Sequence, residues 1–323
     1  MVKIKVLISF NLPDVYVRKI EGVSASLEMC KSEKEEELLS LIKDTDILFA
    51  GIFTRKLFLT ANKLKWIQTI SAGVERFLIP EVVQSPVIIT NASGVHSIPI
   101  TEHVIGMMLC FCRKLHIFIR NQLERRWEGF GTSLIEQIEE LSGKTVGIVG
   151  LGRIGGEIAK KAKALGMRVI ATRRKPNAQK PDYVDKLVSR KDLKALLAES
   201  DFVIIAVPLT KETEGMIGEA ELRSMKRTSY LINISRGKIV QEDKLVQALK
   251  EEWIAGAGLD TFEKEPLPQD SELWGMKNVI ITPHVAGATP RYLERATNIF
   301  CENLRRFIRN EPLINVVNKN LGY

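Results

Sequence analysis

The sequence predicts an α/β protein made of two doubly wound, parallel-sheet domains, and three observations carry that expectation. The chain is 323 residues long, and domains commonly run about 100–200 residues, so two cores are expected. Short apolar runs alternate with helix-like segments almost from the first residue, which is the rhythm of a parallel sheet covered by helices. In the second half a glycine-rich turn, Gly150-Leu151-Gly152-Arg153-Ile154-Gly155, stands between an apolar run and a helical pattern.

Taken in order, Val6-Leu7-Ile8, Ile47-Leu48-Phe49, Trp66-Ile67-Gln68-Thr69-Ile70 and Val87-Ile88-Ile89 are the strand candidates of the first half. A long helical pattern then runs from about residue 100 to residue 127. It is apolar at first (Val104, Ile105, Met107, Met108, Leu109, Phe111) and charged later. A helix that apolar is expected to be buried between domains or subunits. The second set of strands is expected over residues 145–149, 168–171, 202–206, 230–233, 256–259 and 279–281. Six strands separated by helices fit a dinucleotide-binding, Rossmann-like fold. From Pro290 onward one more helix precedes Pro312-Leu313-Ile314-Asn315-Val316-Val317. Trp66, Trp127, Trp253 and Trp274 read as packing residues, and His96, His103 and His116, which lack a partner motif, as structural.

Composition narrows the class. With 45% hydrophobic and 27% charged residues, the chain is neither disordered nor fibrous. No apolar stretch approaches the roughly 18 residues of a membrane span. Lysines interleave with apolar residues in Met1-Val2-Lys3-Ile4-Lys5, as in a strand and unlike a secretory signal. A cytosolic protein without membrane partners is expected. The four cysteines, Cys30, Cys110, Cys112 and Cys301, form no CxxC, so they read as small buried hydrophobes, and no metal is expected. Net charge is 47 − 39 = +8. The densest basic cluster, Arg173-Arg174-Lys175, is short, and other basic residues mix with acids, so no nucleic-acid partner is expected.

The glycine pattern has a chemical reason. One glycine makes a tight turn, one lets backbone approach a pyrophosphate, and one lets helix and strand pack closely. The helix N-terminus then offers free N–H groups to the phosphates. In NAD-binding folds an acid about 20 residues further on holds the ribose hydroxyls. Here 173 − 152 = 21 lands on Arg173, in Thr172-Arg173-Arg174-Lys175, with no carboxylate before Asp182. Guanidiniums hold a 2′-phosphate where an acid would repel it. NADP(H) is therefore favoured. NAD(H) remains possible if Arg173 stacks on adenine instead.

Three later segments each place polar groups just after an apolar strand, where open α/β sheets bind ligands. They are Asn233-Ile234-Ser235-Arg236-Gly237, Asp260-Thr261-Phe262-Glu263-Lys264-Glu265-Pro266 and Thr282-Pro283-His284-Val285-Ala286-Gly287. An Arg fork holds a carboxylate in two parallel bonds. A Glu beside a His fixes the ring and favours its proton-donating form.

With Ser71-Ala72-Gly73, Val207-Pro208-Leu209-Thr210 and the 312–317 segment, these motifs make the chain resemble the D-isomer-specific 2-hydroxyacid dehydrogenases over nearly its whole length. The ordered set Arg236, Glu265 and His284, spaced by 29 and 19 residues, is more specific than any single motif. The resemblance implies a discontinuous substrate domain, residues 1–97 plus 290–323, and a coenzyme domain, residues 98–289, with the active site in a cleft between them. It implies that Arg236 binds the substrate carboxylate and polarises the ketone, that His284 exchanges the proton, and that Glu265 pairs with His284. Asp260 would hold the nicotinamide carboxamide. Gly150, Gly152, Arg153, Ile154, Gly155, Thr172, Arg173 and Arg174 would contact the coenzyme's phosphates and ribose, and Val207, Pro208 and Ile234 would line its groove. The amides of Ala72 and Gly73 would clamp the carboxylate. A homodimer built on the coenzyme domains, with the helix near Ile100 contributing, is expected.

The substrate is less legible. In phosphoglycerate dehydrogenases of the family an early arginine helps hold the phosphate. Phe53 takes that position here, and Arg55 is matched to a second arginine. A small or apolar 2-ketoacid such as glyoxylate or hydroxypyruvate suits Phe53 better. The competing expectations are a phosphoglycerate dehydrogenase-like activity, a Phe53 that only packs under its loop, and a coenzyme-sensing binding protein of the corepressor type.

Overall fold

The computed structural model describes residues 3–129, 131–173, 179–320 and 322. Its contacts divide the chain into two compact units. One holds residues up to Val95 together with those from Thr289 on, and the other is His96–Ala288.

The first unit carries a five-stranded parallel sheet in the order β2-β1-β3-β4-β5, with β1 (Ile4–Ile8), β2 (Leu27–Lys31), β3 (Ile47–Ala50), β4 (Trp66–Thr69) and β5 (Ile88–Thr90). The central strands β3 and β4 are buried at every residue. Both faces of a parallel sheet are covered, so its inner strands read as continuous apolar runs. The helix Tyr292–Ile308 belongs to this unit, and Phe300 stacks on Phe49 with ring centroids 4.3 Å apart. Buried polar groups also tie the tail in. Asn303 donates to Gln68 Oε1 at 3.1 Å and accepts the Ile314 amide at 2.7 Å. Val317 N–H donates to the Ile89 carbonyl at 2.8 Å.

The second unit carries a seven-stranded parallel sheet in the order β12-β11-β10-β9-β6-β7-β8. Its strands are β6 (Thr145–Val149), β7 (Arg168–Thr172), β8 (Lys186–Val188), β9 (Phe202–Ile205), β10 (Tyr230–Asn233), β11 (Gly256–Leu259) and β12 (Val279–Ile281). Chain order reverses at β6, whose neighbours are β7 and β9. The loop leaving the carboxyl end of β6 at such a switch point is where dinucleotide folds bind their ligand.

Three expectations need correction. The second sheet has seven strands, not six, with β8 the addition, and β2 adds a fifth to the first. Both are edge strands: β2 has no buried residue and β8 has one, so neither shows an apolar run. The pattern over residues 100–127 is two helices, Ser97–Cys112 and Leu115–Leu123, broken at Lys114, which is left-handed (φ 56°, ψ 24°). Finally, Trp66 and Trp253 are core residues, but Trp127 and Trp274 are 97% and 51% exposed, so these two do not pack inside the chain. Among the described residues no helix is long and apolar enough to cross a membrane.

Candidate active site

Each glycine of the loop after β6 meets a different constraint. Gly150 has φ +106°, and a Cβ there would lie 2.7 Å from the Ala206 carbonyl oxygen. That conformation favours glycine, which makes the tight turn. A Cβ on Gly155 would lie 2.1 Å from the Gly150 carbonyl oxygen, so the helix Arg153–Ala164 packs against the loop only without one. Gly152, which precedes that helix, has no protein atom within 4 Å of its Cβ position. Nothing in the chain requires glycine at that place, whereas a pyrophosphate approaching the backbone does. The loop therefore fits a dinucleotide. Thr172 is buried and its hydroxyl accepts the Gly150 amide at 3.0 Å, tying the loop to β7. Arg153 is exposed and Ile154 half-buried.

Arg173 follows Thr172 at the carboxyl end of β7 and is half-buried. Among the described residues no carboxylate lies within 4.0 Å of its guanidinium. Arg174 lies outside the described residues. Val207 is half-buried, Pro208 exposed and Ile234 buried. The Val207 carbonyl accepts the Ser235 hydroxyl, and the Pro208 carbonyl accepts the Thr213 hydroxyl at 2.6 Å.

At the carboxyl ends of β10, β11 and β12 the structure assembles the three later segments. Asn233 accepts the Ser235 amide at 3.1 Å and donates to the Arg236 carbonyl at 3.1 Å, closing the turn that presents Arg236. The exposed Arg236 guanidinium rests on the Ser235 carbonyl at 2.8 Å. A Cβ on Gly237 would come within 1.8 Å of the Phe262 carbonyl carbon. That glycine therefore lets the Arg236 turn press on the backbone leading to Glu265. Glu265 accepts the Phe262 amide at 3.1 Å through one oxygen and meets His284 Nδ1 at 2.8 Å through the other. Partial burial opposes the charge on Glu265, but the bonds from His284 and the Phe262 amide and the nearby Arg236 charge outweigh it. Its carboxyl is held below the usual range.

His284 has φ +54° and a side chain 48% exposed. With Nδ1 on Glu265, Nε2 is the ring atom left to exchange a proton. Asp260, only 1% exposed, shapes this loop. It accepts the Thr282 hydroxyl at 2.6 Å and the amides of Val285 and Ala286, each at 2.9 Å. His103 Nε2 meets the same Thr282 hydroxyl at 3.0 Å, and His96 Nδ1 meets the Gly287 carbonyl at 3.0 Å. Two histidines read as merely structural thus brace the loop that carries His284. Sequence spacing showed neither, because the contacts span 179 and 191 residues. Gly237 also escaped notice, although a glycine directly after Arg236 was a usable signal.

In the first unit, Ser71-Ala72-Gly73 follows β4. The Ala72 carbonyl accepts Asn91 Nδ2 at 2.9 Å, and the Ser71 hydroxyl donates to the Gly73 carbonyl at 2.6 Å. Among the described residues, the Ala72 and Gly73 amides have no protein acceptor. Phe53 is half-buried, its ring 5.0 Å from Phe77 and 6.3 Å from Phe58. Arg76 lies over the other partner in that cluster, 4.9 Å from the Phe77 centroid. Arg55 pairs with Glu81.

Residues 105–286 match the family model described as D-isomer specific 2-hydroxyacid dehydrogenase, NAD binding domain. The chain is 35% identical over 326 residues to a glyoxylate reductase of Korarchaeum cryptofilum, covering 99% of this chain and 97% of the relative. A D-isomer specific 2-hydroxyacid dehydrogenase family protein from Aeromonas salmonicida superposes with a TM-score of 0.82 at 29% identity, covering 98% of this chain and 99% of the other. The NADPH-dependent glyoxylate/hydroxypyruvate reductase of Sinorhizobium meliloti, solved with NADP and sulfate, gives 0.80 at 26% identity, covering 99% and 100%. Fold, site and likeness together define an NAD(P)-dependent oxidoreductase of small 2-ketoacids and 2-hydroxyacids. The chain belongs to the D-isomer-specific 2-hydroxyacid dehydrogenase family, in its glyoxylate/hydroxypyruvate reductase-like branch.

Proposed function

We propose that this protein reduces glyoxylate or hydroxypyruvate with NADPH. The observation that carries the reading is the Glu265–His284 pair at 2.8 Å, beside Arg236 and, like the glycine loop, at the carboxyl ends of the strands. NADPH, when bound, supplies the hydride. Gly150, Gly152 and Gly155 shape the turn that receives its pyrophosphate, aided by Arg153 and Ile154. Thr172, Arg173 and Arg174 would hold the ribose and its 2′-phosphate, and Val207, Pro208, Ile234 and Asp260 would line the groove of the nicotinamide half. Arg236 binds the ketoacid carboxylate and draws electron density from the ketone. His284 Nε2 delivers a proton to the ketone oxygen, and Glu265 stabilises the ring that carries it. The free amides of Ala72 and Gly73 are suited to the same carboxylate, and Phe53 offers a ring to the substrate's side chain.

One feature supports a homodimer formed through the coenzyme unit. Leu109, Leu115, Ile119 and Leu123 are exposed on the helices Ser97–Cys112 and Leu115–Leu123, and Trp127, just beyond them, is 97% exposed. Exposed apolar surface of this kind marks an interface. Four unpaired cysteines support a reducing, cytosolic setting.

A panel of 2-ketoacids assayed in parallel with NADPH and NADH tests the reading. Turnover of glyoxylate or hydroxypyruvate with NADPH is expected. Coenzyme binding with no turnover of any 2-ketoacid would end it in favour of a coenzyme sensor.

A further inference from the structure

We propose that the coenzyme unit carries a second anion-binding site, centred on Lys114, at the amino ends of the sheet strands, opposite the coenzyme loop. An open pocket of about 480 Å³ lies there. Its lining includes Tyr230, Ala255 and Asn278, which start or immediately precede β10, β11 and β12. Gly150, Arg236, Asp260 and His284 follow the carboxyl ends of their strands.

The burial of Lys114 points to a ligand. It is only 9% exposed, its ammonium donates to the Tyr230 hydroxyl at 3.2 Å, and among the described residues no carboxylate lies within 4.0 Å of it. An ammonium has three donors, and the tyrosine hydroxyl takes one.

The rim has the matching charge. Arg227 and Lys277 line the pocket with Lys114, against Glu136 and Glu139, and Glu139 is already held by Lys144 at 2.7 Å. The ligand class is a small anion carrying a carboxylate or a phosphate. Its first anionic group would sit on Lys114 and Tyr230, and the exposed guanidinium and ammonium would gather the rest.

The test uses the purified protein carrying Arg236→Ala and saturated with NADPH, so that neither the substrate site nor the coenzyme's phosphate sites contribute. Inorganic phosphate and malonate are titrated calorimetrically at constant ionic strength. Saturable binding of one anion per chain is expected. It should weaken at least tenfold in Lys114→Met and severalfold in Arg227→Ala/Lys277→Ala, with turnover in the Arg236 background of each variant unaffected. Tighter phosphate assigns a phosphoryl ligand, and tighter malonate a carboxylate. If Lys114→Met does not fold, the rim double variant decides. No saturable binding of either anion, or binding that no variant weakens, overturns the proposal.

Discussion

Glu265 Oε2 stands 2.8 Å from His284 Nδ1, and the other Glu265 oxygen accepts the Phe262 amide at 3.1 Å. The carboxylate is thus fixed by the backbone of its own loop and fixes the imidazole in turn. Replacing His284 by Ala should lower kcat on the order of 10²-fold or more, as loss of a positioned acid does. Coenzyme affinity, read by fluorescence titration, should survive.

The Glu265 carboxyl is held below its ordinary range despite partial burial. A group with a lowered folded value contributes its stabilisation above the unfolded value and loses it as pH falls through the folded one. Glu265 is therefore ionised throughout the neutral range and sets no acid limit there. In Glu265→Gln the imidazole loses its carboxylate partner, so kcat for reduction should fall while coenzyme affinity stays unchanged. A Gln variant with unaltered kcat would refute the pairing.

Arg173 directly follows β7, where an NAD-specific fold places an acid. Arg173→Asp should reverse the coenzyme preference, because a charge-assisted bond to a 2′-phosphate is worth about 1.5–3 kcal/mol, tenfold or more in affinity. The ratio of kcat/KM for NADPH and NADH measures it. A ratio near one in the unmodified protein would sink the assignment.

The Phe53 ring lies 5.0 Å from Phe77 but remains partly exposed. If it serves the substrate, Phe53→Ala should reorder activity among glyoxylate, hydroxypyruvate and 3-phosphohydroxypyruvate. Because the ring is only half-buried, the stability loss should fall short of the roughly 3–5 kcal/mol of a core phenylalanine. An unaltered ranking in a destabilised protein would show that the ring merely packs.

Gly237 touches the backbone that precedes Glu265, with 1.8 Å between its Cβ position and the Phe262 carbonyl carbon. Gly237→Ala must push two backbones apart, at a cost of about 1–3 kcal/mol. It should lower kcat more than tenfold, since misplacement of about 1 Å costs on that order or more. Coenzyme affinity should change little. Steady-state kinetics beside urea unfolding separates the two effects.

Asn303 fastens the tail to the first unit through Gln68 and through both backbone groups of Ile314. Asn303→Ala leaves the Ile314 groups unpaired and should cost about 1–3 kcal/mol in urea unfolding.

What the sequence determined by itself was whatever is written in consecutive residues. The inner strands were legible because both faces of a parallel sheet are covered, which makes 47–49 or 202–206 apolar without a break. The glycine loop was legible because its three glycines fall within six consecutive residues between an apolar run and a helical pattern. Arg236, Glu265 and His284 were legible because each follows a strand end. The tertiary structure alone decided the rest. β2 and β8 are edge strands, held by one neighbour and left without an apolar run. Lys114 broke a helical pattern whose hydrophobic period gave no notice of it. His103 and Thr282, Asp260 and Val285, and Gly237 and Phe262 meet across 25 to 179 residues of chain. Such pairings depend on which strands lie side by side, and no local propensity encodes that order.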